Sequence, residues 1–405
     1  MTVSPTLQTP PLSLYVHFPW CVSKCPYCDF NSHALHGELP QDAYLRALEH
    51  DLEIQTPSAQ QRPIRSIFFG GGTPSLFAPA ALARLLESIG RILTVQPGAE
   101  VTLEANPGTI ERGRFADYAA AGINRVSLGA QSFAAEQLKR LGRIHSADDT
   151  RRAVDELHTA GLPNFNLDLM YALPAQQPAG AAADLEAALS LNPVHLSHYQ
   201  LTLEAGTVFG GCPPADLPDD EAVERMLEDC QERLAAHGFC QYEVSAYARG
   251  SAECQHNLNY WRFGDYLGIG AGAHGKLSNA ATGAILRTVR EREPRRYLER
   301  GAYAAPTALP VSPAQLPFEF MLNALRLKEG FAAALFQERT GLAWSAVKDT
   351  VERLQRRGLL SQHGERWAAS PKGWRFLNDL LTEFLPATAG APLAAVRKKP
   401  EAPRA

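Results

Sequence analysis

The stretch Leu12-Ser-Leu-Tyr-Val-His-Phe-Pro-Trp-Cys21-Val-Ser-Lys-Cys25-Pro-Tyr-Cys28 decides the interpretation of this chain. Its first seven residues predict a buried strand, and three cysteines follow it within eight residues. Thiolates are soft ligands that suit zinc, copper(I) or iron–sulfur clusters. A structural zinc site takes four ligands, usually from two separated CxxC pairs, and the sequence has no second pair. The triplet therefore predicts a four-iron cluster in which one iron stays open to a small molecule.

The composition indicates an ordinary globular protein. With 405 residues, 45% of them hydrophobic and 20% charged, we expect two or three domains. A net charge of −4 gives no reason to expect nucleic acid or an anionic membrane as partner. The sequence has neither a secretory signal at its start nor an apolar run of about 18 residues, so we expect a cytoplasmic protein without a membrane span.

The other four cysteines are scattered along the second half of the chain. Cys212, Cys230, Cys240 and Cys254 have no metal-ligand spacing. We expect each of them to be a small buried or half-buried apolar residue and not a ligand.

Short strand-like runs alternate with helical patterns through the first half of the chain. The runs are LSLYVHF (12–18), IRSIFFG (64–70), EVTLEAN (100–106), NRVSLGA (124–130), NFNLDLM (164–170) and VHLSHYQLT (194–202). Between them, segments 42–54 and 80–93 repeat leucine and isoleucine at helical spacing. The alternation predicts an α/β fold of parallel strands, and six units predict an open, partial (β/α)6 TIM-like barrel.

Beyond residue 241 this alternation decays. QYEVSAYA (241–248) predicts one more strand, residues 255–275 a glycine-rich loop with packed aromatic side chains, and the proline-spaced residues 305–317 a linker or boundary. The helical patterns that follow predict a small, mainly helical, winged-helix-like domain. The predicted organisation is a disordered N-terminus (1–10), a core barrel (11–245), an extension (246–310), a C-terminal helical domain (311–385) and a disordered tail (386–405).

Several polar or glycine residues fall where the predicted strands end. Gly70-Gly71-Gly72-Thr73-Pro74 follows the second strand and predicts either a backbone cradle for a ligand or a tight strand-to-helix turn. Glu104, Gln131 and Asp168 end the next three strands, and strand ends converge on one mouth in such a barrel. Each taken singly could equally be a helix cap or a loop hydrogen-bonder.

The CxxxCxxC triplet after the first strand resembles the radical S-adenosylmethionine superfamily. In that superfamily the open iron binds the amino and carboxylate groups of S-adenosylmethionine, which the reduced cluster cleaves to a 5′-deoxyadenosyl radical. The resemblance implies a [4Fe-4S] cluster on Cys21, Cys25 and Cys28. It also implies that the glycine turn is the element that holds the amino-acid end of S-adenosylmethionine.

The motifs YVHFPWCVSKCPYCDF, FFGGGTPS, LEANPGT, SLGAQSF, LGRIH and LDLMYALP are together similar to the oxygen-independent coproporphyrinogen III oxidase group. The resemblance covers most of residues 12–385. It implies that S-adenosylmethionine is contacted by Tyr15, Tyr27, Gly71, Gly72, Thr73, Glu104, Gln131, Arg143, Asp168 and Gln200.

The residue after Cys28-Asp29 departs from that group. The oxidases continue the triplet with a further cysteine two residues on, where this chain has Phe30. Phenylalanine offers neither a thiol nor a ligand atom. The departure argues against porphyrinogen decarboxylation and leaves open whether the protein is an enzyme.

A second segment points to a sister branch of the group, the radical-SAM haem chaperones. His256-Asn-Leu-Asn-Tyr260-Trp261 is similar to the HNxxYW motif of that branch. Imidazole is a natural axial ligand of haem iron, and Tyr260 and Trp261 suit a porphyrin face. A histidine among aromatic residues is also a common packing residue. His17, His274 and Cys254 are further candidates for haem.

The sequence therefore predicts a haem chaperone that carries a [4Fe-4S] cluster, S-adenosylmethionine and haem. The expected partners are haem, haem-accepting apoproteins, with respiratory proteins at the membrane face as candidates, and an electron donor for the cluster. The alternative is coproporphyrinogen III dehydrogenase, and a remoter one is a methyltransferase or another radical enzyme. Phe30 and the HNLNYW segment favour the chaperone over the dehydrogenase.

Overall fold

A twelve-stranded sheet organises the computed structural model, which describes residues 7–108 and 113–386. The strands are β1 (Leu12–Phe18), β2 (Trp20–Cys21), β3 (His33–Ala34), β4 (Ile64–Gly71), β5 (Val95–Ala105), β6 (Arg125–Gln131), β7 (Phe165–Tyr171), β8 (His195–Gln200), β9 (Cys240–Gln241), β10 (Ala246–Ala248), β11 (Asp265–Ile269), β12 (His274–Asn279), β13 (Ala284–Val289), β14 (Thr307–Pro310), β15 (Phe331–Ala332), β16 (Leu360–His363) and β17 (Arg366–Ala369). The order in the large sheet is β14-β13-β12-β11-β1-β4-β5-β6-β7-β8-β10-β9.

Helices follow most strands of the first half and dominate the C-terminal part. They are α1 (Gln41–Gln55), α2 (Pro79–Ile92), α3 (Phe115–Ala121), α4 (Ala135–Arg140), α5 (Ala147–Thr159), α6 (Pro178–Ser190), α7 (Val208–Gly211), α8 (Asp220–Ala236), α9 (Gln255–Trp261), α10 (Pro294–Glu299), α11 (Leu316–Ala324), α12 (Ala333–Thr340), α13 (Ser345–Arg356), α14 (Pro371–Arg375) and α15 (Leu377–Thr382). Short 3₁₀ turns cover Thr56–Ala59, Pro74–Leu76 and Gly301–Tyr303.

Six strands pair in parallel in the order β1-β4-β5-β6-β7-β8, which confirms the predicted partial (β/α)6 barrel. The helices predicted over 42–54 and 80–93 are α1 and α2. Proline at the first turn of α2 needs no hydrogen-bond partner for its nitrogen, and the buried Leu82, Leu85 and Ile89 face the sheet's core. The loop that follows β1 and β2 contacts helix α7, which follows β8. There the amide of Phe209 donates to the carbonyl of Pro26 at 3.0 Å.

Residues 255–275, predicted as a loop, instead form helix α9 and strand β11, so that prediction is wrong. Strand β11 pairs in parallel with β1, with Leu267 opposite Leu14, and both side chains are fully buried. The glycines of this segment allow close strand packing. A Cβ atom on Gly268 would lie 1.9 Å from the carbonyl oxygen of His274. The glycine spacing therefore reflects strand contact and not a flexible loop.

Antiparallel strands extend the sheet on both sides. β12, β13 and β14 continue from β11, so residues 307–310 form an edge strand inside the stretch predicted as a linker. Proline is tolerated there because an edge strand has a free side. At the other edge, the strand predicted over 241–248 is split into β9 and β10.

The C-terminal part has its own apolar core. Phe320, Phe331 and Phe336 pack against one another, and β15, β17 and β16 form a three-stranded antiparallel sheet beside the helices. This arrangement agrees with the predicted winged-helix-like fold. The domain boundaries at 245 and 310 stay predictions.

The chain ends were predicted to be disordered. Within the predicted N-terminal stretch, Leu7 is buried in the C-terminal core and the amide of Gln8 donates to the carbonyl of Glu338. Residues 1–6 and 387–405, which carry the rest of the two predicted disordered segments, lie outside the described residues. Within the described ranges, no helix is both long and apolar enough to cross a bilayer.

Candidate functional site

The three clustered cysteines lie on a fixed loop at the carboxyl end of β1. Cys21 ends β2, and Cys25 and Cys28 follow on the loop, with all three thiols free and half-buried. The ammonium of Lys24 donates to the carbonyl of Ser32 at 3.0 Å, which holds the loop's two arms together. The Asn31 side chain donates to the carbonyl of Ala271 at 2.9 Å and ties the loop to the turn after β11. The loop therefore presents its thiols from a defined backbone.

The structure brings the three thiols onto one loop, and their role as cluster ligands stays a prediction. In the described part of the chain, no group of three His, Cys, Asp or Glu side chains is arranged to hold one metal ion. In a four-iron cluster each cysteine would bind a different iron. Burial raises the pKa of the Cys21 thiol, and a hydrogen bond with Thr73 opposes that rise.

The half-buried Arg143 connects this loop to the strand ends. The Arg143 guanidinium lies 3.7 Å from the sulfur of Cys25 and donates to the carbonyl of Gly129 at 2.8 Å. It also donates to the side-chain oxygen of Asn106 at 2.5 Å, and the amide of Asn106 donates to the hydroxyl of Thr73 at 2.9 Å. Asn106 was not among the predicted site residues, although it lies in the quoted LEANPGT motif.

The glycine turn after β4 is a tight turn held by its own hydrogen bonds, and its role as a ligand cradle stays a prediction. The amides of Gly71, Gly72 and Thr73 donate to Glu104, Phe18 and Trp20 respectively, so they hold the turn against β1 and β5. A Cβ atom on Gly72 would lie 2.6 Å from the carbonyl oxygen of Trp20, which explains the glycine. These three amides are therefore engaged within the protein.

Two carboxyl groups lie on strands β5 and β7, which β6 separates in the sheet. Burial, together with the nearby carboxylate of Asp168, raises the pKa of Glu104 to about 8. Burial also raises the pKa of Asp168, against hydrogen bonds from Asn166 and Ser127. Asp168 lies in the middle of β7 and not at its end as predicted. A cationic group placed near Glu104 would return it to its charged form.

The remaining residues predicted to contact S-adenosylmethionine are spread along the same strands. Gln131 ends β6 with a left-handed backbone, φ 64°, and Gln200 ends β8 exposed at the mouth. Tyr27 lies beside Cys25 and Arg143, and burial raises the pKa of its hydroxyl. Tyr15 lies deeper, where its hydroxyl contacts the ring of His17 at 3.0 Å.

The HNLNYW segment is helix α9, which packs at the opposite, amino-terminal end of β1 and β4. His256 is 1% exposed, with one ring nitrogen 3.0 Å from the hydroxyl of Ser66 and the other 2.8 Å from that of Tyr260. Burial lowers the pKa of His256 to about 3, so the ring is neutral. Trp261 is half-buried and stacks under the guanidinium of Arg326. The structure does not bring these residues together with the cysteine loop.

The other candidates for haem have their own surroundings. His17 is buried between Tyr15 and the carbonyl of Asn31, and burial lowers its pKa to about 4. His274 is exposed on β12. The Cys254 thiol is buried and lies 3.6 Å from a carboxylate oxygen of Glu100.

Of the remaining scattered cysteines, Cys230 is buried as predicted. Cys212 and Cys240 are exposed, contrary to the prediction of a buried or half-buried position. Both lie outside the core, in the segment after α7 and on the edge strand β9.

Comparison with known proteins places this barrel in a known class. Residues 15–186 match the radical SAM superfamily, and residues 311–376 match the HemN C-terminal domain. A solved structure, coproporphyrinogen III oxidase (HemN) from Escherichia coli, superposes with a TM-score of 0.77 over 93% of this chain and 90% of that chain. At 21% identity this likeness establishes the fold alone.

Curated relatives narrow the assignment. Heme chaperone HemW from Escherichia coli is 48% identical over 94% of this chain and 99% of its own length. Heme chaperone HemW from Haemophilus influenzae is 47% identical over 93% of this chain and 99% of its own length. The chain belongs to the HemW family within the radical SAM superfamily.

The pKa of Glu104 gives a test of its predicted role. Protons compete with a cationic ligand for this carboxylate below pH 8, so the affinity of the cluster-loaded protein for S-adenosylmethionine should fall as pH is lowered, approaching about tenfold per unit. Isothermal titration calorimetry between pH 6.5 and 9 measures this affinity. Glu104→Gln is the matched control, because it keeps the shape and removes the titration. If both proteins show the same pH dependence, Glu104 does not contact the ligand.

Proposed function

We propose that the protein is a haem chaperone, which binds haem and transfers it to acceptor proteins on a scaffold that carries a [4Fe-4S] cluster and S-adenosylmethionine. The observation that carries this proposal is the near full-length likeness, at 48% identity, to a protein named heme chaperone HemW. The loop sequence supports it, since Phe30 stands where the oxidase group has a further cysteine.

The residues present fit the proposed cluster and S-adenosylmethionine. Cys21, Cys25 and Cys28 would hold three irons, and the cluster with S-adenosylmethionine bound would supply one-electron chemistry. Arg143 lies beside Cys25 and would offset the charge of the thiolates and pair with a ligand carboxylate. Glu104 would attract a cationic ligand group deeper in the barrel.

The proposed partners follow from this role. A chaperone needs a haem-accepting apoprotein, which we place among respiratory proteins at the membrane face, and a reductant for its cluster. We expect it to work in the cytoplasm.

The decisive experiment incubates the reduced, cluster-loaded protein with S-adenosylmethionine and, separately, with coproporphyrinogen III and with haem. We expect tight haem binding, measured by the change in haem absorbance. We also expect no protoporphyrinogen to form from coproporphyrinogen III. Formation of protoporphyrinogen would establish the dehydrogenase instead. Absence of haem binding would also contradict the proposal that the protein is a haem chaperone.

The assignment of His256, Tyr260 and Trp261 to haem remains part of this proposal. In the structure both ring nitrogens of His256 are engaged, so iron binding requires the hydroxyl of Tyr260 to give way. Helix α9 has seven residues and is held to the barrel by its amide bonds to Glu100 and by the contacts of His256 with Ser66 and Phe68.

Two variants test this ligand assignment in opposite directions. His256→Ala should weaken haem binding and alter the haem absorbance band, because it removes the imidazole. Tyr260→Phe should tighten binding, because it frees a ring nitrogen without changing the ring. An unchanged titration for both variants would show that His256 is a packing residue.

A further inference from the structure

A cavity of about 600 Å³ lies outside the barrel interior, between the cysteine loop and the segment that follows β8. The cysteine loop lines one side from Lys24 to His36, including Cys28 and Phe30, and Ala205–Thr207 with Arg292 line the other. A volume in this range suits a ligand of cofactor size. The cavity therefore offers a second binding place beside the cysteine loop, distinct from the barrel mouth around Glu104.

An exposed aromatic ring marks this cavity. Phe30 is 60% exposed, which is unusual for a phenylalanine, and Val208 next to the lining residue Thr207 is 67% exposed. Neighbouring exposed apolar side chains cost free energy in water unless something covers them. A flat apolar ligand would cover Phe30 and pack against its face.

The cavity is also positively charged. Lys24 and Arg292 line it, and no described carboxylate lies within ion-pair distance of either. Both cations lower the pKa of His33, after the larger effect of burial, so they act on the same space, with Glu293 opposing them. Asp29 is the one carboxylate among the lining residues. Two unpaired cations beside an aromatic ring suit a ligand that is flat, apolar and carries carboxylates.

We propose that this cavity binds a porphyrin, with Phe30 against the ring and Lys24 and Arg292 paired with the two propionate carboxylates. The inference rests on the proposed function and adds to it a second place for the porphyrin, apart from the proposed His256 site on α9. At this position the ring lies next to Cys28 and therefore beside the cluster loop. The phenylalanine that removes a thiol from the loop thus supplies an aromatic face.

Carboxylate recognition gives a test that does not depend on the iron. Wild-type protein, full length and cluster-loaded, is titrated with protoporphyrin IX and with its dimethyl ester, followed by fluorescence. We expect the free acid to bind about tenfold or more tightly than the ester. The double variant K24Q/R292Q should lose that preference, because it removes both cations. Glutamine at position 24 can still donate to the loop carbonyls, so the loop should keep its conformation.

Matched controls separate local from general effects. K348Q/R225Q removes the same charge from two exposed helices remote in sequence and should keep the preference. Phe30→Ala should weaken the binding of protoporphyrin IX and of its dimethyl ester equally, and Phe30→Tyr should restore the binding of both. The iron and sulfide content of each variant shows whether the cysteine loop is intact.

The outcomes are distinct for the two proposals. If the wild type binds haem but binds the acid and the ester equally, or if K24Q/R292Q keeps the preference, the porphyrin site lies elsewhere and the chaperone proposal stands. If the wild type binds neither haem nor protoporphyrin, both proposals fail.

Discussion

The contact between Arg143 and the cysteine loop is the constraint on which the site depends. One half-buried guanidinium reaches the sulfur of Cys25, the side chain of Asn106 and the carbonyl of Gly129. Its several donors are satisfied by partners from separate segments, so these partners fix one another's positions. Through Asn106 the network continues to Thr73 and, by a hydrogen bond, to Cys21. Two of the three clustered cysteines are thereby tied to the ends of β5 and β6.

Around this contact the molecule separates three chemical environments. The barrel interior holds the carboxyl groups of Glu104 and Asp168, and burial raises the pKa of both, that of Glu104 to about 8. The outer cavity has the aromatic ring of Phe30 among mainly polar side chains, with Lys24 and Arg292 as its cations. Helix α9 closes the far end with a neutral, fully hydrogen-bonded His256. The first two environments suit different parts of the proposed ligand set, whereas iron binding at His256 would require the hydroxyl of Tyr260 to move.

Much of the barrel could be predicted from the sequence, because its signals are local. Strand-like runs alternating with the helical spacing of Leu82, Leu85 and Ile89 locate β4 and α2 within one or two residues. Cysteine spacing likewise depends on a single loop. Contacts between distant segments could not be predicted in this way. Strand β11 is defined by its pairing with β1, and its glycines resemble those of a loop until that pairing is known.

The site divides along the same line. Glu104 and Gln131 could be placed at strand ends from the strand pattern alone, whereas Asn106 depends on a contact with Arg143, 37 residues later. The environment of His256 could not be predicted from the sequence either, because its partner Ser66 lies 190 residues earlier. Motif and composition suggested a ligand, and only the packing reveals a buried ring whose nitrogens are both engaged.

The central claim is that the cysteine triplet leaves one iron open to S-adenosylmethionine. The most direct measurement is electron–nuclear double resonance of the reduced, cluster-loaded protein with S-adenosylmethionine that carries an isotopically labelled amino nitrogen. The account predicts a hyperfine coupling between the cluster and the labelled nitrogen. A cluster spectrum that shows no coupling, at a ligand concentration where binding is saturated, would contradict it.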